Sequence, residues 1–178
     1  GYVAAGNGGA ISLPSSAKLW LNRNVFKSNY VGTVSGYNYY GGVVYAPDNT
    51  AVITVTNCKF VSNGHGQCTR YGGVAANGKW IVSNSVFASN YARTLSTNGG
   101  YGGVAYNCTW TATNCVYYSN GARYGGIYGN VASGGSWTDS NSIYWANTGT
   151  YGPLFYNQSS LSVRYSDLQS NAGVSGTG

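Results

Sequence analysis

Three aspartates, one histidine and four cysteines carry most of the reactive chemistry available to this 178-residue chain, which contains no glutamate. Hydrolysis of a glycosidic bond needs two carboxyl groups on one face, and calcium-assisted elimination needs several oxygen ligands beside a base. Asp48 falls in the turn-forming run Pro47-Asp48-Asn49, where an aspartate is routine. Asp139 and Asp167 fall at different positions of a repeating phrase, so nothing in their spacing pairs them. His65 stands alone in the glycine-rich stretch 63–67. No Ser-His-Asp order and no phosphate-binding loop is discernible. The chain is therefore read as non-enzymatic, with no cofactor and no metal site.

The cysteines have a different use. Their spacings are unlike those of zinc sites. Cys58 and Cys115 occupy the same repeat position two repeats apart, too far to bridge in a regular stack. Local pairings Cys58–Cys68 and Cys108–Cys115 are expected, which suits an oxidising compartment.

The repeats organise everything else. The phrase Tyr71-Gly72-Gly73-Val74 leads through a turn at Asn77-Gly78 to Asn84-Ser85-Val86-Phe87-Ala88-Ser89-Asn90. Related phrases open at Gly8-Gly9, Tyr40-Gly41-Gly42, Tyr101-Gly102-Gly103, Tyr124-Gly125-Gly126 and Tyr151-Gly152. They close on asparagines 29, 63, 120, 147 and 171. A repeat of roughly 20–35 residues with variable insertions marks a solenoid. The segments inside each repeat are short, rich in Val, Ile, Thr, Tyr and Trp, and lack a helical period. The expected fold is all-β: a single-stranded parallel β-helix of about five to six coils, residues 1–178 forming one domain, either a mature product or a fragment of a longer chain.

Three columns follow from that expectation. Leu19, Ile53, Trp80, Trp110, Trp137 and Leu161 should point inward, with Leu21, Val55, Val82, Ala112, Asp139 and Val163 two residues further along. Asp139 is the misfit, implying local exposure or a slipped register. Phe26, Phe60, Phe87, Tyr117, Tyr144 and Leu168 should form an aromatic stack. The closing asparagines should stack too, because asparagine tolerates left-handed backbone and its amide can bond both ways along a column. The paired glycines suit a corner that needs positive φ or close backbone approach.

Gly-Gly-Ala-Ile at 8–11, Gly-Gly-Val at 41–43, 72–74 and 102–104, Gly-Gly-Ile at 125–127, and Phe-x-x-Asn at 26–29, 60–63 and 87–90 resemble a known repeat. It is the GGA[ILV]/FxxN repeat of polymorphic outer-membrane-protein-type β-helices of bacterial surface adhesins and related secreted proteins. The resemblance spans nearly the whole chain and implies a right-handed helix in a surface or secreted protein. The copies here replace Ala with Val or Ile, exchange some Phe for Tyr, and add a Tyr before the glycines. No membrane-barrel segment of the adhesin type accompanies them.

Two surfaces stand out. One is the set Tyr40, Tyr71, Tyr101, Tyr124 and Tyr151 before the glycines, joined by Tyr45, Tyr106 and Tyr156 after them. Tyrosine rows either pack as a ladder or offer a contact surface for sugar rings or neighbouring subunits. The other is the outward set Thr54, Thr56, Thr111, Thr113, Thr138 and Ser140, which resembles the ice-binding face of β-helical antifreeze proteins, interrupted by Trp20, Ile81 and Arg164. Asn107-Cys108-Thr109 and Asn157-Gln158-Ser159 are N-glycosylation sequons.

Charged residues make up only 7% of the chain and the net charge of +6 is scattered, which disfavours nucleic acid as a partner. No apolar run approaches a membrane span. The expectation is an extracellular or cell-surface protein. Its leading role is a structural subunit that self-associates end to end or laterally into a fibre. A glycan-binding adhesin comes second and an ice-binding protein third.

Overall fold

The computed structural model describes residues 2–3, 6–32, 39–65, 69–93, 99–123, 129–148 and 154–169. These form an all-β solenoid of about four turns, with parallel strands stacked along one axis and no helix. The largest sheet has ten strands. Its central row runs Lys18–Asn22, Val52–Thr56, Lys79–Ser83, Ala105–Thr113, Ala132–Ser140 and Ser160–Arg164. A six-stranded sheet stacks Val25–Lys27, Lys59–Val61, Val86–Ala88, Val116–Tyr118, Ile143–Trp145 and Asp167–Leu168. The remaining face is paired in twos, as in Tyr39–Tyr40 with Thr69–Tyr71 and Tyr91–Arg93 with Gly121–Arg123.

Alternation decides which side chains go inside. Trp80 pairs with Ile53 on one side and Trp110 on the other, and Val82 with Val55 and Ala112. The indoles of Trp80, Trp110 and Trp137 stack at 5.1 and 4.8 Å. Opposite them Phe26, Phe60, Phe87, Tyr117 and Tyr144 stack at 4.5–5.2 Å. The change from Phe to Tyr in that column has a physical reason. Trp110 Nε1 donates to Tyr117 Oη and Trp137 Nε1 to Tyr144 Oη, both at 3.0 Å, whereas Trp80 donates to the Asn77 carbonyl at 2.9 Å. Each buried indole N–H thus has an acceptor, as a dry core requires.

Asp139 is neither exposed nor out of register. It pairs with Ala112 and Val163, is 1% exposed, and accepts hydrogen bonds from Ser142 Oγ at 2.7 Å and from Tyr144 Oη. Burial raises its pKa above the ordinary value of 3.8.

The asparagine column forms, with two corrections. Asn29, Asn63, Asn90, Asn120 and Asn147 are buried. Each Oδ1 from Asn63 onward accepts from the backbone N–H and the Nδ2 of the preceding asparagine at 2.9–3.0 Å. The last place is taken by Gln169, whose Oε1 accepts from the Asn147 N–H at 2.8 Å; Asn171 lies outside the described residues. Left-handed backbone belongs to the preceding residues Ser28, Ser62, Ser89, Ser119 and Ala146, so the closing asparagines serve by their amides rather than by their φ.

The paired glycines divide their two tasks. Gly72 has φ +71°, and a Cβ on Gly73 would collide with the Gly103 carbonyl one rung away. In the fifth copy the positions equivalent to Gly102-Gly103 are Gly129-Asn130, because Gly103 N–H bonds Gly129 O and Val104 N–H bonds Val131 O. Gly129-Asn130 thus takes the repeat position expected for Gly125-Gly126, which lies outside the described residues. The residue ahead of Gly129 is Tyr128, which with Tyr124 lies outside the described residues.

Candidate functional site

Along one corner of the ten-stranded sheet, two consecutive residues of each rung lead into a turn or bend. Pairing sets Tyr45, Ala76, Tyr106, Ser133 and Tyr156 in one column. The residue after Ala76, Tyr106, Ser133 and Tyr156 turns the corner with left-handed backbone: Asn77, Asn107, Gly134 and Asn157, with φ between +51° and +67°. Rung by rung, the pairs are Ala76-Asn77, Tyr106-Asn107, Ser133-Gly134 and Tyr156-Asn157.

The space above Ala76 is filled. Tyr40 reaches across it, with its ring 6.0 Å from Tyr45 and 6.1 Å from Tyr106. Tyr71 stacks on Tyr40 at 4.6 Å and on Tyr101 at 5.1 Å, and touches Tyr106 at 4.6 Å. The Arg70 guanidinium lies 5.1 Å from the Tyr71 ring and 5.5 Å from that of Tyr101. Burial raises the phenol pKa of both Tyr71 and Tyr106. These rings stack their faces against one another, so this part of the tyrosine set is ladder packing.

At the rung of Ser133-Gly134 the surface opens into a cleft of about 420 Å³. Tyr101, Tyr106 and Tyr156 line it together with Asn107, Asn157, Gln158, Ser159 and the Ser133–Gly135 floor. None of the described lining residues carries a carboxylate, an ammonium or a guanidinium. Tyr156 is 37% exposed. Asn107 Nδ2 donates to Asn77 Oδ1 at 3.0 Å, while the Asn157 amide makes no hydrogen bond within the described residues. Gln158 Nε2 donates to the Tyr156 carbonyl at 3.1 Å and leaves Oε1 buried without a partner there. Such an acceptor costs about 1–3 kcal/mol until a donor reaches it.

The structure thus brings together Tyr101, Tyr106 and Tyr156 with both sequon asparagines, and leaves Tyr40, Tyr45 and Tyr71 in the ladder. Tyr151 lies outside the described residues. Ser133, Gly134, Gln158 and Ser159 were not singled out by sequence. Their signal is a break in the Tyr-Asn pairing, visible only once Ser133-Gly134 is aligned with Tyr106-Asn107.

The other candidate residues are scattered. Asp48 is partly exposed, and hydrogen bonds from Thr50 and Ser15 lower its pKa. Asp167 is exposed on the six-stranded sheet, and His65 bonds the Ser89 carbonyl at 2.9 Å. The Thr column pairs Thr54 with Ile81 and Trp20, and Thr111 with Ile81 and Thr138. Trp20 and Ile81 are exposed within it. Thr56 and Thr113 bond Ser83 and Ser140 at 3.4 Å, so hydroxyls of the neighbouring column are engaged with one another.

The expected Cys108–Cys115 bridge is contradicted. Both are buried free thiols, and the extended run from Thr109 to Thr113 plus a corner holds them apart. Cys108 Sγ donates to the Asn77 carbonyl at 3.2 Å and Cys115 Sγ to that of Thr113 at 3.3 Å. Burial raises both thiol pKa values, that of Cys115 to about 11, which keeps them protonated and inert. Cys58 is likewise a buried free thiol, and its expected partner Cys68 lies outside the described residues. None of the family models, curated proteins or solved structures compared with the chain matches it. No helix among the described residues is long and apolar enough to cross a membrane.

Proposed function

We propose that this chain is a non-enzymatic extracellular or cell-surface module that binds glycans at the tyrosine-lined corner, as an adhesin does. The observation that carries this reading is the cleft at the Ser133-Gly134 rung, whose described lining residues offer aromatic rings, amides and hydroxyls and no charged side chain. Sugars are recognised by that combination, because the C–H face of a pyranose packs on an aromatic ring while its hydroxyls need donors and acceptors at the rim. Right-handedness, the five-to-six-coil count and the surface location belong to the same reading, through the resemblance to adhesin repeats. A glycan array probed with the whole chain tests it. Selective retention of sugars, weakened by Tyr156→Ala, is the expected result. An empty array at concentrations that detect weak lectins would remove the reading.

Self-association as a structural subunit is the second reading. It is favoured by the outer side of the six-stranded sheet, where Ile143, Tyr118 and Trp145 are 46, 48 and 56% exposed. Light scattering across a concentration series decides between a monomer and a polymer.

A further inference from the structure

The outer side of the six-stranded sheet changes in size and charge from one end to the other. A second copy of the chain, with its solenoid axis reversed, complements that change. Resting on the self-association reading, we infer that two copies pack these faces together about a twofold axis parallel to the strands, as a closed antiparallel dimer.

Composition comes first. In each strand from Val25–Lys27 to Asp167–Leu168 alternation sets Phe26 and its equivalents inward and their neighbours outward. One outward column reads Val25, Lys59, Val86, Val116, Ile143 and Asp167. The other reads Lys27, Val61, Ala88, Tyr118 and Trp145. The charged places stand towards the ends: Lys27 and Lys59 in the first two strands, Asp167 in the last. Between them lies an apolar strip on which Tyr118, Ile143 and Trp145 are exposed. An apolar strip with a polar rim marks an interaction surface.

Size selects the orientation. Facing sheets pack about 10 Å apart, so a bulky residue is best met by a small one. With the twofold axis between the strands of Val86 and Val116, Ala88 lies opposite Tyr118 of the second copy and Val61 opposite its Trp145. Val86 then meets Val116. With the solenoid axes parallel, Ile143 and Trp145 would instead crowd their own counterparts while Val86 and Ala88 left a gap.

Charge selects the same orientation. Asp167 of one copy comes within one rung of Lys27 and Lys59 of the other, and the symmetry repeats this at both ends. Parallel axes would set lysines against lysines and aspartate against aspartate.

The corner leading into these strands supplies an independent observation. Its equivalent positions are Arg23, Asn57, Asn84, Asn114, Asn141 and Tyr165, all with φ between +49° and +56°. Asparagine, which tolerates this backbone, fills the four inner places. Arg23 and Tyr165 break the column at its two ends, and Tyr165 is 80% exposed. The antiparallel dimer brings Arg23 of one copy to the rung of Tyr165 of the other, a guanidinium beside an exposed phenol ring.

The strip is about 24 Å long and about 10 Å wide. A pair of such faces buries less than the roughly 1,200 Å² below which complexes are weak and transient, so the dimer should form reversibly with concentration.

Sedimentation velocity of the whole chain over a concentration series, at low ionic strength, tests this. A monomer–dimer equilibrium that stops at two copies is expected. Asp167→Lys alone, and Lys27→Glu with Lys59→Glu, should each weaken it roughly tenfold by opposing like charges. All three substitutions together should restore it. Ala88→Arg, at the centre of the face, should abolish it with the thermal midpoint in place, whereas Thr111→Val on the other sheet should leave it unchanged. Association that grows past two copies, or that ignores the charge reversals and Ala88→Arg, would overturn the antiparallel dimer while keeping self-association. A monomer at every concentration would overturn both.

Discussion

The asparagine ladder and the tyrosine corner run along the same axis but end differently. Asn63, Asn90, Asn120 and Asn147 repeat one arrangement without a gap, each amide joining two rungs inside the protein. On the tyrosine corner Tyr45, Ala76, Tyr106, Ser133 and Tyr156 alternate large and small, and the gap at Ala76 is filled by Tyr40 and Tyr71. An unbroken column stabilises the stack, because every buried amide finds its neighbour. Where the tyrosine column changes at the surface, Gln158 Oε1 has no hydrogen-bond partner among the described residues. In a solenoid, regularity accounts for the fold, and departures from it mark where function can reside.

The largest effect should come from breaking the ladder. Asn90→Ala removes the acceptor of the Asn63 N–H and the donor to the Phe60 carbonyl. With about 1–3 kcal/mol for each buried group left unpaired, the loss should be about 3–5 kcal/mol, measured by denaturant unfolding. A loss below about 1 kcal/mol would mean the column is ornamental. By contrast Tyr156→Ala on the exposed side of the corner should cost less than about 1 kcal/mol in the same assay.

Asp139 offers an intermediate test inside the sealed region. Its folded pKa is raised by burial, so the native state holds the proton to higher pH than the unfolded chain. The associated stability is fully present below the unfolded value of about 3.8 and is lost as pH rises through the folded value. Asp139→Asn should flatten the stability profile across that window and raise stability at neutral pH relative to the parent. Urea unfolding at stepped pH measures it, and an unchanged slope would remove Asp139 as its source.

Smaller effects belong to the outer faces. Trp145→Ser should change stability by no more than about 0.5 kcal/mol, yet reduce any concentration-dependent association seen by light scattering. Thr111→Val, on an exposed strand position, should be close to neutral in stability, at about 0.5 kcal/mol or less. A large loss there would show that the Thr column is coupled to the core.

Most of the architecture was legible from periodicity. The alternation in Val52–Thr56 and Lys79–Ser83 assigns Ile53, Val55, Trp80 and Val82 to the interior, where they are buried. Three features were not legible, each for a physical reason. Asp139 sits in an apolar column because Ser142 and Tyr144, contributed by the next corner and strand, supply its hydrogen bonds. Gly129-Asn130 replaces the Gly-Gly phrase, so a search for paired glycines settles on Tyr124-Gly125-Gly126 instead. Gln169 substitutes for a ladder asparagine because its longer amide still reaches Asn147. The cleft escaped notice for the related reason that two small residues, Ser133 and Gly134, gain meaning only from their neighbours one rung away.

The most direct measurement of the central claim is a structure of the protein with a neutral oligosaccharide bound. The account predicts the sugar in the cleft at the Ser133-Gly134 rung, in contact with described lining residues such as Tyr106 and Asn157. A sugar held elsewhere, with the Ser133-Gly134 rung vacant at saturating ligand, would contradict it.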